Sequence, residues 1–293
     1  MDKATAIAFC YSKAAGLLKK SFIKERASLL FMQESLADLW DLLFKEPAPL
    51  VPEVMLARQI EEKATANFLS QYKNFMDMFD YPPEILTDKL KLFETDYSKQ
   101  HESEEIQDQQ ALDFQRDLQI LKENWNAIEK CFGDDRAAHE RLFLDEYIIK
   151  NIIWALRLEI YYEMPREQII QNLFYVTDKA DKNDPVAGPA IKILNYDVNN
   201  YSDWENWKYA QFLNPHESGE RWRVDPVWIE RKYAGHQAKL AESIFHQYTM
   251  QDAALAAWFK LKSYELTCIR TAVEGLRLNI SSQEAMEAVG ING

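Results

Sequence analysis

The sequence predicts an all-α protein, and three features of the chain lead to this prediction. Nearly every segment with a hydrophobic period has the helical one, with apolar residues recurring three and four positions apart. Glycine occupies only 8 of the 293 positions, which disfavours β architectures rich in tight turns. No alternation of apolar and polar residues is long enough to predict a strand. A chain of this length can bury a large core, and we expect one domain spanning residues 1–293.

The N-terminal part of the chain is predicted to form helices that end at prolines. Apolar residues keep a helical pattern from Leu17 to Leu43, and this stretch ends at Glu46-Pro47-Ala48-Pro49, because proline lacks an N–H donor and restricts the residue before it. A second helix is expected from about Pro52 to Phe79. A third is expected near Glu84–Phe93, followed by a polar stretch, 94–110, that could be a loop or an exposed helical face.

Long helices are predicted in the central and C-terminal parts of the chain. They are expected at about Glu104–Cys131, Arg136–Glu163, Val227–Tyr248 and Gln251–Leu278. Between the second and third of these, Asp178–Trp207 is the least regular region, with Asp-Pro, Gly-Pro and Asn-Asn turn signals. A last helix is predicted to begin at Ser281, whose side chain can form a capping box with Glu284.

Two segments of the chain look like copies of one helix–break–helix unit. Tyr147–Gln168 and Tyr264–Ala285 each begin with an amphipathic helix, continue through a tight break and end in a capped second helix. At a constant offset of 117 positions they align without gaps, which places Glu167 on Glu284. A repeat of this length predicts a body built from pseudo-symmetric lobes, and it favours assembly over catalysis.

The net charge of −13 disfavours some classes of partner. Phosphates would be repelled and no counterions released, so nucleic acid is not expected as a partner, and neither is a bare anionic lipid surface. No apolar run reaches the length of about 18 residues needed to cross a bilayer, and the N-terminal segment does not have the pattern of a signal peptide. Cys10, Cys131 and Cys268 are widely spaced and form no CxxC pair, as in a cytosolic protein with reduced thiols.

Sequence motifs of common enzymes are absent. The P-loop, HExxH, GxSxG, GxGxxG and paired CxxC patterns do not occur, so we expect no catalytic activity, no cofactor and no metal site. No Glu stands three residues before a histidine, so the Glu-x-x-His of a di-iron bundle is missing too. The histidines show no ligand spacing and are predicted to lie on the surface or at helix caps: His101, His139, His216, His236 and His246.

Asp134 and Asp135, with Glu140 nearby, are the nearest approach to a catalytic cluster. In an aromatic-rich all-α chain an aspartate-rich motif could chelate Mg²⁺ for a prenyl diphosphate, which gives an alternative function as a Mg²⁺-dependent enzyme. Such a site would need carboxylates one helical turn apart and a second metal-binding helix. Because Gly133-Asp134-Asp135 precedes a predicted helix, we favour capping of the helix N-terminus by these residues.

Aromatic residues are dense between residues 196 and 233. The favoured interpretation is that they pack an irregular connection onto the helices. The alternative is a patch that binds a partner, because Trp and Tyr are frequent at interface hot spots. The candidates for such contacts are Trp204, Trp207 and Trp222.

Three runs of the chain resemble the C subunit of bacterial and archaeal V/A-type rotary ATPases, which is called d in eukaryotes. Tyr11–Glu46 resembles the opening of that family: a Tyr-led helix, a Leu-Leu pair and an amphipathic helix that ends in a Leu-x-x-Leu-Leu stretch. Asp145–Ile169 resembles the repeated element of the family, and Ser263–Ala285 resembles its closing repeat.

The resemblance places four residues of this chain at positions of the family pattern. They are Asn151, Arg157, Arg270 and Gly275, with either a structural or an interface role. The residue that corresponds to Asn151 in the closing repeat is Cys268. Whether the two arginines are buried structural residues or contact residues stays open at this point.

The resemblance implies a funnel-like helical body with pseudo-threefold symmetry and a central cavity, with lobes at roughly 1–115, 116–200 and 201–293. The first copy of the repeat would lie near residues 85–115. The implied function is that of a non-catalytic central-stalk subunit, which links the rotating shaft to the membrane rotor ring and transmits torque for ATP-coupled proton or sodium transport. The implied partners are the shaft subunits and the proteolipid ring, and the implied location is the cytoplasmic face of the cell membrane. An unrelated helical adaptor is the remaining alternative.

Overall fold

The computed structural model describes residues 1–88, 90–91, 107–217 and 219–291, with the backbone alone for 107–113. Every regular element in these residues is a helix, and no strand occurs among them. The all-α prediction is therefore confirmed for the described chain. Within the same residues, no helix combines the length and the apolar character that crossing a membrane requires.

The helices follow one another along the chain with two 3₁₀ turns, at Lys24–Ala27 and Ala210–Phe212. Their bounds are α1 Lys3–Leu18, α2 Ser28–Phe31, α3 Leu36–Leu43, α4 Glu53–Met76, α5 Gln107–Glu129, α6 Gly133–Tyr162, α7 Arg166–Gln171, α8 Ala187–Ile193, α9 Tyr201–Trp204, α10 Pro226–Gln247, α11 Asp252–Leu278 and α12 Ser282–Ala288. The long helices predicted from the periodicity all occur, with ends within a few residues of those expected.

The helix predicted near Glu84–Phe93 is helical at 84–88, 90 and 91. Its predicted end at Phe93, and most of the polar stretch 94–110, lie outside the described residues.

The helical pattern predicted from Leu17 to Leu43 does not form a continuous helix. α1 ends at Leu18, and Lys24 has a left-handed backbone with φ of 53°. The backbone N–H of Phe22 donates to the buried carboxylate of Glu265, with the nitrogen 2.5 Å from Oε1. This long-range hydrogen bond satisfies a backbone donor outside the helix. The helix α1 can therefore end at Leu18 although the helical pattern of apolar residues continues beyond it.

The chain folds into two compact units. Unit 1 consists of residues 1–86 and 234–293, and unit 2 consists of residues 87–233. The predicted lobes at 1–115, 116–200 and 201–293 have other boundaries, and that threefold division stays a prediction.

The core of unit 1 is built on α11, which packs against α1, α2, α4 and α12. The alanines at its start are buried, so neighbouring helices can approach closely: Ala253, Ala254, Ala256 and Ala257. Four rings fill the adjoining space: Phe68 and Tyr72 of α4 contact Trp258 and Phe259 of α11. Tyr72 and Trp258 are stacked, with ring centroids 6.3 Å apart. Aromatic packing of this kind stabilises beyond the burial of area.

A buried carboxylate lies at the N-terminal end of α11. Asp252 is 2% exposed, and its Oδ2 pairs with Lys3 Nζ at 2.5 Å. Burial raises the pKa of Asp252, although the ammonium group of Lys3 acts in the opposite direction. The folded protein therefore favours the protonated carboxyl more than the unfolded chain does.

The core of unit 2 is built on α6, a helix of 30 residues that packs against α5, α7 and α8. The irregular connection between α7 and α10 covers this core with aromatic side chains, as the favoured interpretation of the aromatic-rich region predicts.

One buried carboxylate organises the start of that connection. Asp184 is 2% exposed and accepts five hydrogen bonds at 2.7–2.9 Å. Its Oδ2 accepts from the backbone N–H groups of Val176 and Thr177 and from the Thr177 hydroxyl, whereas Oδ1 accepts from the N–H groups of Val186 and Ala187. The single side chain thus satisfies backbone donors that no helix ladder would satisfy.

Asp184→Asn is expected to lower the free energy of unfolding by at least about 3 kcal/mol, because the amide nitrogen would face N–H donors and hydrogen bonds to a charged group are worth about 1.5–3 kcal/mol each. Urea denaturation monitored by circular dichroism measures the change. Asp178→Asn is the matched control, since Asp178 lies in the same connection but is exposed. Equal small effects of the two substitutions would contradict this role of Asp184.

The Asp252 carboxyl predicts a particular dependence of stability on pH. Because the pKa of Asp252 is raised on folding, the folded state binds more protons between the two pKa values, and its contribution to stability falls as the pH rises through that interval. Asp252→Asn mimics the protonated form. We therefore expect this variant to gain stability relative to the natural protein as the pH rises from 4 towards 7, measured by urea denaturation across that range. For the control Asp41→Asn, at an exposed position of α3, the free energy of unfolding should depend on pH as it does in the natural protein. The same pH dependence for Asp252→Asn would refute the prediction.

Candidate functional site

The two segments singled out as a repeat each form a helix, a left-handed turn and a second helix. In unit 2, α6 ends at Tyr162 and Glu163 takes a left-handed backbone with φ of 48°. The N–H of Met164 then donates to the carbonyl of Leu158 at 3.0 Å, and α7 begins at Arg166. The N–H of Glu163 donates to the same carbonyl. The bond from Met164 spans six residues, one more than the 6→1 hydrogen bond of a Schellman helix end.

The segment in unit 1 has a closely similar turn. α11 ends at Leu278, Asn279 is left-handed with φ of 52°, and the N–H of Ile280 donates to the carbonyl of Gly275 at 2.9 Å. α12 then begins with the predicted capping box, in which Ser281 and Glu284 each bond the backbone N–H of the other. The capping-box prediction is confirmed.

The structure corrects the gapless alignment of the two segments. The accepting residues Leu158 and Gly275 keep the offset of 117, but the left-handed residues Glu163 and Asn279 are only 116 positions apart. The second turn is thus one residue shorter. Glu167 and Glu284, which the alignment paired, hold different positions in their helices, and only Glu284 completes a capping box.

Asn151 is a fully buried structural residue. Its Nδ2 donates to the Phe174 carbonyl at 2.7 Å, and its Oδ1 accepts from the Phe174 N–H at 2.9 Å. This two-way clamp fixes the chain after α7 onto α6. The corresponding residue of the second segment, Cys268, is also fully buried, and burial raises the pKa of its thiol to about 12. It behaves there as a small apolar side chain.

The two arginines of the family pattern have different surroundings. Arg157 is about one-third exposed and donates from Nη2 to Glu230 Oε2 at 2.6 Å, within unit 2. Arg270 of α11 is partly buried, and its Nε has no hydrogen-bond partner in the described part of the chain. Arg157 is thus engaged in a surface ion pair, a type of contact that contributes little to stability.

Gly275 lies where α11 packs against α12, and the space there accommodates a Cβ at van der Waals contact. A Cβ at this position would lie 3.4 Å from the Cβ of Ala285 in α12. Gly275 is also the residue whose carbonyl closes the turn between the two helices. Its role in this structure is therefore structural.

The three tryptophans proposed as partner contacts are buried in the core of unit 2. Trp204 is fully buried, and Trp207 and Trp222 are less than a tenth exposed. Trp204 and Trp207 meet edge to face with centroids 5.4 Å apart, and Trp204 Nε1 donates to the Asp197 carbonyl at 2.9 Å. Their burial agrees with the favoured interpretation, in which these rings pack the connection onto the helices, and disfavours the alternative of a partner-binding patch at these three residues.

Among the exposed large apolar side chains of the described residues, four lie at the ends of the two long helices. Tyr161 and Tyr162, the last residues of α6, are 56% and 69% exposed. Leu278, the last residue of α11, and Ile280 in the following turn are 64% and 43% exposed. The sequence analysis did not single out these residues, because periodicity alone does not show which apolar residues at a helix end stay uncovered. Each helix end thus carries an apolar surface, and we call these two surfaces the helix-end patches.

The structure also corrects the prediction that Asp134 and Asp135 cap the N-terminus of α6. The helix begins at Gly133 with Phe132 as its N-cap and no side-chain cap, and Asp134 and Asp135 lie in the first turn. Carboxylates there interact favourably with the helix dipole, but they do not cap the helix.

The prediction for the histidines is wrong at His139, which is fully buried beside Asp135 and Cys131. The other described histidines, His216, His236 and His246, are exposed as expected. His101 lies outside the described residues.

No family model matches this chain. A protein of Treponema pallidum (strain Nichols), described as an uncharacterized protein, is 23% identical to it over 316 residues. The alignment covers 90% of this chain and 91% of that protein. The similarity therefore extends over nearly the whole of both proteins. The resemblance to the ATPase C subunits rests on the three runs of residues quoted above.

Alanine in place of two helical glycines is expected to change the stability of the protein in opposite directions. Gly275→Ala is expected to raise the free energy of unfolding by about 0.5–1 kcal/mol, because glycine in a helix interior costs about that much relative to alanine. Gly235→Ala in α10 is expected to lower it, because the new Cβ would lie 2.5 Å from the carbonyl oxygen of Gly290. Thermal and urea denaturation of both variants provide the measurement. Changes of the same sign would show that the packing of these glycines differs from that described.

Proposed function

We propose that this protein is a non-catalytic adaptor of a V/A-type rotary ATPase, corresponding to its C subunit. The observation that carries the proposal is the occurrence of three runs that resemble this family, in the family's order: Tyr11–Glu46, Asp145–Ile169 and Ser263–Ala285. In this role the protein would link the rotating shaft to the membrane rotor ring and transmit torque.

The local structure of two of these runs supports the proposal. A repeated element is what a pseudo-threefold body requires, and both runs contain a long helix that ends in a left-handed residue and leads into a short helix. The third copy that this symmetry needs would lie near residues 85–115, which are largely outside the described residues. The funnel-like shape and the central cavity belong to the proposal.

The helices have the stiffness that a torque-bearing part needs. α6 extends over 30 residues, roughly 45 Å at 1.5 Å per residue. α11 extends over 27 residues with a buried aromatic core beside it. Close-packed interiors have low compressibility, so a load applied at one end of such a helix is passed to the other.

The helix-end patches are the surfaces proposed to contact the rotor. Exposed apolar residues at Tyr161, Tyr162, Leu278 and Ile280 occupy comparable places at the two long-helix ends. The net charge of −13 complements the Lys- and Arg-rich cytoplasmic loops that are typical of membrane proteins. The acidic chain as a whole is therefore expected to favour a basic loop of the ring over anionic lipid.

A pull-down tests this proposal directly. Full-length protein with an affinity tag, incubated with membranes of the source cell in mild detergent, is expected to recover the head, shaft and ring subunits of the ATPase, identified by mass spectrometry. Recovery should fall as salt is raised, because exposed charges are screened within about 8 Å at physiological ionic strength. The absence of these subunits at low salt would overturn the assignment, whereas recovery that does not depend on salt would overturn only the electrostatic part.

Variants of the helix-end patches test the contact surface separately. The pairs Tyr161→Ser/Tyr162→Ser and Leu278→Ser/Ile280→Ser are each expected to reduce recovery at least about tenfold, since truncating an interface anchor costs about 2 kcal/mol. The control pair Leu50→Ser/Tyr81→Ser changes side chains that are equally apolar and more than 85% exposed, and it should leave recovery unchanged. An effect of the control pair as large as that of the others would contradict the proposed surface.

The same experiment separates the alternative functions. An unrelated helical adaptor would recover other proteins and no ATPase subunit. A Mg²⁺-dependent prenyl diphosphate enzyme would show a Mg²⁺-dependent rise in melting temperature that is lost in Asp134→Asn, because a ligand that binds only the folded state stabilises it.

A further inference from the structure

We propose that Cys131, Asp135 and His139 form a binding site for a divalent transition-metal ion of the Zn²⁺ type. The cysteine sulfur, a carboxylate oxygen and a ring nitrogen of these residues all lie within 4.8 Å of one another. The proposal does not depend on the role in a rotary ATPase.

The spacing of the three residues brings them to one side of the α5–α6 junction. They follow each other at intervals of four positions, in the pattern Cys-x-x-x-Asp-x-x-x-His. Cys131 lies in the turn before α6, Asp135 lies in the first turn of the helix and His139 lies one turn further on. Residues four apart are neighbours on a helix surface, so the Asp and His side chains share one face.

The distances are close to those of a metal site. His139 Nε2 lies 3.5 Å from Asp135 Oδ1. Ligands of a tetrahedral Zn²⁺ ion with bonds of about 2.0–2.3 Å are about 3.4–3.6 Å apart. The nitrogen and oxygen thus already have the required separation, and the sulfur of Cys131 lies within 4.8 Å of both.

The types of donor atom indicate which ions fit. A thiolate, an imidazole and one carboxylate form a set that suits Zn²⁺ and similar borderline ions, whereas Mg²⁺ requires oxygen ligands. This distinguishes the site from the Asp134-Asp135 magnesium site considered from the sequence. Asp134 is exposed and does not belong to the cluster.

The three side chains differ in their exposure to solvent. His139 is fully buried, the Asp135 side chain is 19% exposed and Cys131 is partly exposed. An ion can therefore enter from the side of Cys131, and a water molecule or a partner's ligand can complete a coordination number of four. The thiol donates to the Ala127 carbonyl at 3.4 Å, and coordination as a thiolate replaces that weak hydrogen bond.

The arrangement differs from that of a cysteine nucleophile with its base. In a Cys-His-Asp triad the histidine stands between the other two groups and bonds each with a different ring nitrogen. Here a single ring nitrogen of His139 lies within 4.8 Å of both the sulfur of Cys131 and a carboxylate oxygen of Asp135. One ion can therefore contact all three donor atoms.

Titration of the full-length protein with Co²⁺ and Zn²⁺ tests the site. After chelator treatment, one equivalent of Co²⁺ is expected to produce the absorption of a sulfur-to-cobalt charge transfer, and one equivalent of Zn²⁺ is expected to displace it and raise the melting temperature. Cys131→Ser should abolish the charge-transfer band. Asp135→Asn should weaken Zn²⁺ binding at least tenfold in competition with a chromophoric chelator.

Two matched controls separate this site from adventitious binding. Asp134→Asn removes the neighbouring charge in the same helical turn, and His246→Ala removes an exposed histidine; both should bind like the natural protein. The proposal is overturned if the natural protein gives no charge-transfer band, or if Cys131→Ser and Asp135→Asn bind as tightly as the controls. Circular dichroism of each metal-free variant verifies that it is folded.

Discussion

In unit 2 the carboxylate of Asp184 accepts hydrogen bonds from four backbone N–H groups and a hydroxyl, and this one buried side chain sets the course of the chain after α7. Asn151 assists it by clamping both polar groups of Phe174 onto α6. Buried backbone groups outside helices need hydrogen-bond partners. In unit 1 the carboxylate of Glu265 is such a partner, because it accepts from the N–H of Phe22. The helices supply the bulk of the core, and these buried acceptors bind the chain in the connections between helices.

The two helix–turn–helix segments show how similar backbones are held by different side chains. Both end their long helix with a left-handed residue whose successor bonds back to Leu158 or Gly275. The buried position four residues after the first tyrosine is a hydrogen-bonding Asn151 in one segment and an apolar Cys268 in the other. The turn therefore depends on helix-end geometry. Exposed apolar residues recur beside both turns, and for this reason the proposed partner contacts lie at these places and not at the buried tryptophans.

The adaptor role and the proposed metal site concern different parts of the molecule. The helix-end patches lie at the C-terminal ends of α6 and α11, whereas the cluster of Cys131, Asp135 and His139 lies at the opposite end of α6. An ion at that cluster would fasten the turn between α5 and α6, since its ligands come from the turn and from the helix. A long helix anchored at its N-terminal end is better able to carry a load to its other end.

The sequence by itself determined the helical class, the places of the long helices and the capping box at Ser281, because helical periodicity and capping are properties of neighbouring residues. It also indicated that two segments share a helix–break–helix plan. Only the tertiary structure decided that α1 stops before Phe22, that His139 is buried beside Asp135 and Cys131, and that Trp204 is enclosed while Tyr162 is exposed. Each of these depends on which residues distant in the chain meet. The partner of Phe22, for example, lies 243 residues away, and no local pattern of charge or hydrophobicity records such a contact.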